Sequence, residues 1–454
     1  MNPTPDAILV RASILHFLAD PGEQGDASAW AHFPDGALFI QSGRVQKCGD
    51  WRTVLEALPT LTRDSARYFD YRGKLLMPGF VDTHVHYPQL RVMGSWGRQL
   101  LDWLNDYTFP AEKSLADIEV ARKTASFFLD RLLAHGTTTA SVFATVHPHS
   151  VDVFFEEAQK RNLRMLCGKV MMDRNCPPDL RDTAEDSLRD GHALIERWHG
   201  KGRLGYSVTP RFAPTSTSGQ LQAAAELFRS RPGMHLQSHL SENHGEMAWV
   251  RELFPDCRDY LDVYESHGLV GRGAIYGHGI HLSPAEMARL AESETAIAFC
   301  PTSNLFLGSG FCAHADLMRA GVSLGLATDV GGGSSLSMLR TMAAAYEVGQ
   351  AGGQTLSAWR AWYMATLGAA RALALDEHIG SFLPGREADF VVLDPQAIPE
   401  LAYRTGFAES LEEQLFALMM LGDDRCIAAT HIMGERVWQS GTHRSDPLAA
   451  PAVR

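Results

Sequence analysis

What this chain of 454 residues lacks narrows its function before any motif is read. Basic residues are in deficit. The 41 Lys and Arg against 53 Asp and Glu leave a formal charge of −12, which argues against nucleic acid or an anionic membrane as partner. No apolar run approaches the length needed to cross a bilayer. Cysteines number seven, an odd count with no C-x-x-C among them, so a disulfide framework is not indicated. A reducing compartment is the natural reading, with Cys167 and Cys300 as strand residues in the core. The start, Met1-Asn-Pro-Thr-Pro-Asp6, has no basic leader, and Arg11 and His16 interrupt the apolar run after it. A cytosolic protein is expected. Internal repeats and low-complexity tracts are also missing, which excludes a solenoid.

What is there is a long alternation of short apolar strands and amphipathic helices. Strands are read at 78–85, 137–146, 163–172, 203–209, 234–239, 274–278, 295–299 and 322–328. The first belongs to a buried run from Leu75 to Val85. Between the strands, Ser114-x-x-Asp117 and Ser283-x-x-Glu286 resemble capping boxes that open helices. The helix after Asp117 carries Ile118, Ala121, Ala125, Phe128 and Leu132 on one stripe and stops at Gly136. Further helices are expected at 338–349 and 357–375. Eight strand–helix repeats mean a (β/α)8 TIM-type barrel, an α/β fold that reacts at the carboxyl ends of its strands. Short strands flank the barrel on both sides: 8–16 and 37–47 with a Ser42-Gly43 turn, and 384–394, 425–430 and 431–440 with a Gly434 turn. The expected architecture is therefore a small β-sandwich domain built from both termini (1–77 and 384–454) around a barrel at 78–383.

The chemistry sits at the strand ends. The first strand ends in His84-Val-His86, and a period of two sets both imidazoles on one side. One such pair is weak, since histidine pairs also occur on solvated surfaces. The fifth strand adds His239, the sixth His278, and the eighth Asp329. All these ends converge on one mouth of a barrel. Three imidazoles, a carboxylate and a water make a plausible catalytic zinc site. A lone strand histidine is more often structural, but five such residues at strand ends are hard to assign to packing. The same donor set also suits iron or manganese.

These residues carry a resemblance. Pro78-Gly-Phe-Val-Asp-Thr-His-Val-His86, His239, His278 and Thr328-Asp329 resemble the signature of the amidohydrolase superfamily, and Gly380–Asp394 is similar to its β-sandwich return. More narrowly, His86-Tyr-Pro-Gln89, Thr209-Pro-Arg-Phe-Ala-Pro214, His239-Leu-Ser-Glu-Asn243, Cys300-Pro-Thr-Ser-Asn-Leu305 and Thr328-Asp-Val-Gly-Gly-Gly333 resemble the guanine deaminase family. The match covers nearly the whole chain. It implies one zinc (or Fe2+) per chain on His84, His86, His239 and Asp329, with Glu242 as proton shuttle and His278 hydrogen-bonding the water. Two-metal members of the superfamily place a carbamylated lysine near the end of the fourth strand. Arg211 stands there instead, so a single metal is expected.

The activity so implied is hydrolysis of free guanine to xanthine and ammonia in purine catabolism or salvage, by a homodimer. Asp329 can take a proton from the attacking water, and Glu242 lies three residues beyond a ligand, within reach of the same atoms. Substrate contacts would fall to Gln89, Arg211, Phe212 and Glu242: arginine's fork matches purine O6 and N7, glutamine offers a donor and an acceptor, and an aromatic face stacks on a base. The residues alone leave open that Arg211 neutralises a carboxylate, that Phe212 is core and that Glu242 caps a helix. Tyr87 and Trp96 are further candidates to close the pocket. The alternative activity is that of a sister enzyme working on an oxidised guanine, an adenine nucleoside derivative or a triazine. Three features are set aside. His244-Gly-Glu246 has no P-C-x-x-C to complete a cytidine-deaminase zinc site, Gly331–Gly333 has no lysine to make a P-loop, and His281 lies past the sixth strand's end.

Overall fold

The computed structural model describes residues 7–96 and 100–441; the N-terminal segment 1–6, read above as lacking a leader, lies outside them. The barrel is built from Phe80–His86, Thr137–Phe143, Arg164–Gly168, Leu204–Pro210, His235–Leu240, Ala274–His278, Ala296–Phe299 and Leu324–Leu326. These strands pair in parallel and in sequence order, with a short extra strand, Val170–Met171, beside the fourth. The eighth strand packs beside the first. Just past it the backbone closes the ring: Asp329 N donates to His84 O (2.9 Å) and His86 N donates to Val330 O (2.8 Å). Every residue of Phe80–His86 and of Thr137–Phe143 is buried, as expected of strands covered on both faces.

Strands from both termini form a second, mixed sheet in the spatial order Glu435–Gln439, Ile427–Ile432, Phe390–Leu393, Arg67–Pro78, Ala7–Phe17, Trp30–Gln41, Arg44–Asp50. This sheet folds over on itself. Val45 N donates to Arg386 O and Gly385 N to Val45 O, both at 2.8 Å, so one edge returns to the chain leading into Phe390–Leu393. Ile8, Val10, Ile14, Leu38, Ile40, Leu76 and Phe390 fill its core. Two-residue turns at Ser42-Gly43 and Met433-Gly434 join its hairpins. All four residues have positive φ, the conformation whose twist suits antiparallel partners.

Four sequence expectations need correction. The run Leu75–Val85 is two strands, not one. Arg67–Pro78 belongs to the terminal sheet and Phe80–His86 to the barrel. The chain crosses between them at Gly79, where a Cβ would collide with Thr138. The helix Ile118–Ala134 is capped by Asp117, whose side chain accepts from Glu119 N (2.8 Å) and Val120 N (3.3 Å), so Ser114 does not open it. Ile118 on that helix is exposed, and Leu129 and Leu133 join the buried stripe instead. The helical stretch at 357–375 is two helices, Ala358–Met364 and Leu367–Ala372, broken at Thr366 (φ −131°, ψ −100°). Ser283 and Glu286 do form the reciprocal box, which caps Pro284–Glu292. Met338–Ala351 is helical where one was expected.

Candidate metal and substrate site

The barrel mouth gathers the strand-end residues. His84 Nε2 and His86 Nε2 lie 3.2 Å apart, and each faces Asp329 Oδ1, at 3.4 Å and 3.3 Å. A tetrahedral ion with ligand bonds of about 2.0–2.1 Å sets neighbouring ligand atoms about 3.3 Å apart. Three edges of such a tetrahedron are therefore in place. His239 completes one group with His84 and His86, and His278 completes another with His84 and Asp329; within each, the ligand atoms lie within 4.8 Å of one another. The donor set, nitrogen and one carboxylate oxygen, suits a divalent transition metal.

Protonation states agree with that use. Burial drives His86 down to about 3. It also holds His239 well below its ordinary value, with the neighbouring imidazoles adding to the effect. Both rings are neutral at physiological pH and keep lone pairs. His239 Nδ1 donates to Arg211 O (2.6 Å), which leaves Nε2 as the ligating atom. Burial works to raise the Asp329 carboxyl, but hydrogen bonds from His84 and His86 overcome it and hold the group well below the usual carboxylate range. His278 Nε2 is buried and makes no hydrogen bond within the protein. Unpaired polar atoms of this kind are costly in a plain core and common where a ligand completes the site.

Asp329 and His278 both sit in the left-handed region, at φ 46° and 72°. Holding non-glycine residues there costs about 1–3 kcal/mol each, and the surrounding bonds supply the constraint. Asp82, at the heart of the first strand, accepts from Thr328 N (3.0 Å) and His84 N (3.3 Å), tying the eighth strand's end to the first. Burial pushes Asp82 up to about 6. His278 Nδ1 hydrogen-bonds Asn304 Oδ1 (2.9 Å), so its Nε2 stands 3.3 Å from Glu242 Oε2 and 3.8 Å from Asp329 Oδ2.

Glu242 is buried, and burial followed by the nearby Asp329 charge pushes it up to about 8. Ser309 Oγ donates to its Oε1 (3.1 Å). It does not cap the helix His244–Leu253; Asn243 and Glu246 form that box, which leaves Glu242 free to face the cavity. His281 stays outside, stacked on His244 and 2.9 Å from Ser309 O.

A cavity adjoins these groups, lined among others by Gln89, Arg211, Phe212, Glu242 and Trp103. Arg211 follows the fourth strand directly, and its Nη1 lies 2.8 Å from each oxygen of Glu112. The open alternative for Arg211 is thus realised: it does neutralise a carboxylate, while also lining the cavity. Gln89 Nε2 donates to the same carboxylate (3.0 Å). Phe212 is buried, with its ring edge-on to Trp249. Tyr87 is core, its hydroxyl donating to Ser150 O (2.8 Å) and its ring packed on Phe154. Trp96 is exposed. Neither lines the cavity; Leu100, Trp103 and Leu104 do.

Sequence reasoning missed Glu112, Ser309 and this apolar strip. Nothing in Phe109-Pro-Ala-Glu-Lys113 signals a buried carboxylate, because its partner lies 99 residues away. Asp82 and Asn304 stood inside the quoted motifs without a role, and only their hydrogen bonds supply one.

A barrel whose histidines and aspartate converge at the strand ends defines a metal-site hydrolase architecture. The chain matches the model of the Amidohydrolase family over residues 75–437 and belongs to that family. It is 49% identical to the guanine deaminase of Escherichia coli (strain K12) over 91% of this chain and 93% of that protein. The solved structure of E. coli guanine deaminase superposes with a TM-score of 0.92 at 48% identity, covering 95% of this chain and 100% of that one. A guanine deaminase from C. acetobutylicum, crystallised with guanine bound in the active site, superposes with a TM-score of 0.85 at 28% identity, covering 95% of this chain and 100% of that one. Among the described residues no helix is long and apolar enough to cross a membrane.

Proposed function

We propose that this chain hydrolyses guanine to xanthine and ammonia, using one zinc ion held by His84, His86, His239 and Asp329. The observation that carries the reading is that Glu242 lines one cavity together with His86, His239 and Asp329 of that ligand set and with Gln89 and Arg211. A zinc ion bound there would supply Lewis acidity and a water acidic enough to ionise near neutral pH. Iron in the same donor set would serve similarly.

The protein's own groups account for the rest. Arg211 and Gln89 hold the ring edge that carries O6 and N7, Phe212 lies along the purine, and C2 is presented to the attacking water. Asp329 Oδ2, on the side toward His278, receives the water's proton. Burial holds Glu242 toward its protonated form, and it delivers its proton to the ring nitrogen beside C2. The proton taken from the water then reaches the amine, which departs as neutral ammonia, while the C2 hydroxyl returns its proton to Glu242 and its oxygen becomes a carbonyl. His278 Nε2, the unpaired imidazole nitrogen, orients the oxygen that adds. Water in and ammonia out balance the reaction.

The barrel (78–383) carries all these groups, and the terminal module (1–77 and 384–454) supports it. The seven cysteines are free, which fits a cytosolic setting. A homodimer belongs to the same reading. The exposed, mutually packed Tyr403 and Phe407 favour an interface, and light scattering would check it.

The test is ammonia release from guanine by zinc-loaded protein, against a chelated and a zinc-restored sample. Release that stops on chelation and returns with zinc is expected. No release above the chelated control would reject the reading, and faster turnover of 8-oxoguanine, an adenine nucleoside or a triazine would move it to a sister activity.

A further inference from the structure

Glu112 has no role in the chemistry above, yet it is joined to both recognition residues. Its side chain is only 1% exposed. It accepts from Arg211 Nη1 at 2.8 Å on both oxygens and from Gln89 Nε2 at 3.0 Å. Phe109, on the same short helix Phe109–Lys113, places its ring 5.4 Å from the Arg211 guanidinium carbon. That helix belongs to the insertion after the first barrel strand, which also lines the cavity through Leu100, Trp103 and Leu104.

Two consequences follow from this geometry. The first is orientation. With Nη1 engaged by Glu112, Arg211 Nε and Nη2 make no other side-chain hydrogen bond among the described residues, and they are the donors left for a ligand. Gln89 is fixed as well. Its Nε2 faces the carboxylate while its Oε1 accepts from Gly331 N (3.3 Å). Flipping the amide would set an oxygen against Glu112 and a donor against an N–H. The second consequence is charge. Arg211 is the one Lys or Arg among the described residues lining the cavity, and its charge is offset in place. The recognition end of the cavity therefore suits a neutral ring, since a buried anion would meet the carboxylate as well as the guanidinium.

We propose that Glu112 is a positioning residue that sets specificity, locking the Arg211 and Gln89 donors for an uncharged, carbonyl-bearing purine and discriminating against anionic purines. The proposal rests on the guanine reading of the preceding subsection.

The experiment compares wild type with Glu112→Gln. It measures kcat and KM for guanine, inhibition by urate (an anionic purine), metal content and melting temperature. The expected result is a KM for guanine raised about 10- to 100-fold, the range spanned by losing a hydrogen bond to a charged group, with the smaller change in kcat. Urate should inhibit about tenfold more tightly once the guanidinium is uncompensated, with metal content unchanged. A purely structural role would lower the melting temperature without altering the guanine-to-urate preference of the folded enzyme, and that outcome overturns the proposal. If Glu112→Gln does not fold, Glu112→Asp keeps the charge but shortens its reach, and an unchanged KM there would equally overturn it. Failure of the wild type to act on guanine would sink the preceding reading instead, so the two failures are distinguishable.

Discussion

The barrel buries charged side chains at both ends, and the two ends treat them in opposite ways. At the amino-terminal rim of the strands, Arg164 and Arg203 meet Glu387 and Asp389 from the terminal sheet. Here the donors and acceptors are well used. Arg203 spans Glu387 (2.7 Å), Asp389 and Asn162 O (2.6 Å), and Asp389 also accepts from Met433 N (2.8 Å). At the opposite, carboxyl-terminal rim, His278 Nε2 makes no hydrogen bond within the protein, and the ligand atoms of His84, His86 and Asp329 crowd within 3.4 Å of one another. The contrast separates a clasp from a working site. The charged clasp is satisfied by protein alone, while the cluster of histidines and aspartate at the other rim is complete only with something bound.

The largest effect expected at the working end is on turnover. Glu242→Gln keeps the shape of the side chain but cannot pass a proton, and kcat for guanine should fall about 10²–10⁴-fold. The melting temperature should hold or rise, because a buried acid is replaced by a neutral amide. Retained turnover would remove Glu242 from the mechanism.

Arg203→Met should do the reverse. It takes the cation from Asp389 and leaves Glu387 to Arg164, and removing one partner of a buried pair costs about 3–5 kcal/mol. Urea unfolding should show that loss while kcat/KM per folded molecule stays near wild type. A variant as stable as wild type, or a folded one without activity, would erase the distinction between the two ends.

Acidification should act on stability in a defined window. Burial drives His16 and His431 down to about 4. At these two rings the unfolded chain therefore binds protons at about pH 6.5 that the folded chain refuses, and their contribution to stability is lost between about 6.5 and 4. For Glu387, burial opposes the charged form, but the bonds from Arg164 and the charge of Arg203 prevail and hold it at about 2. Its contribution is full above about pH 4.5 and is lost as pH falls from there through about 2. An imidazole of His16 or His431 that takes up its proton near pH 6.5 in the folded protein, followed by NMR, would contradict these assignments. In Arg203→Met the lower limb should be the weaker one.

The barrel strands were legible because burial on both faces writes short apolar runs, and the two short hairpins because turn residues mark them. Boundaries were less so. Nothing local tells that Met77 and Val85 serve different sheets, since both stretches are apolar and only the crossing at Gly79 divides them. Asp117 and Ser114 are equally good caps on paper, and the 3-10 turn at Ser114–Ala116 decides between them.

Sequence alone determined the chemistry that is local to a strand end. Alternation put His84 and His86 on one side, and barrel topology obliges residues at the same ends of parallel strands to meet. What only the tertiary structure decided is which charges cancel. The Arg211–Glu112 pair, the unpaired nitrogen of His278 and the satisfied clasp at Arg203 depend on side chains tens to hundreds of residues apart coming within hydrogen-bond distance. Coulomb and hydrogen-bond energies fall off over a few ångströms, and no pattern along the chain encodes a separation that small.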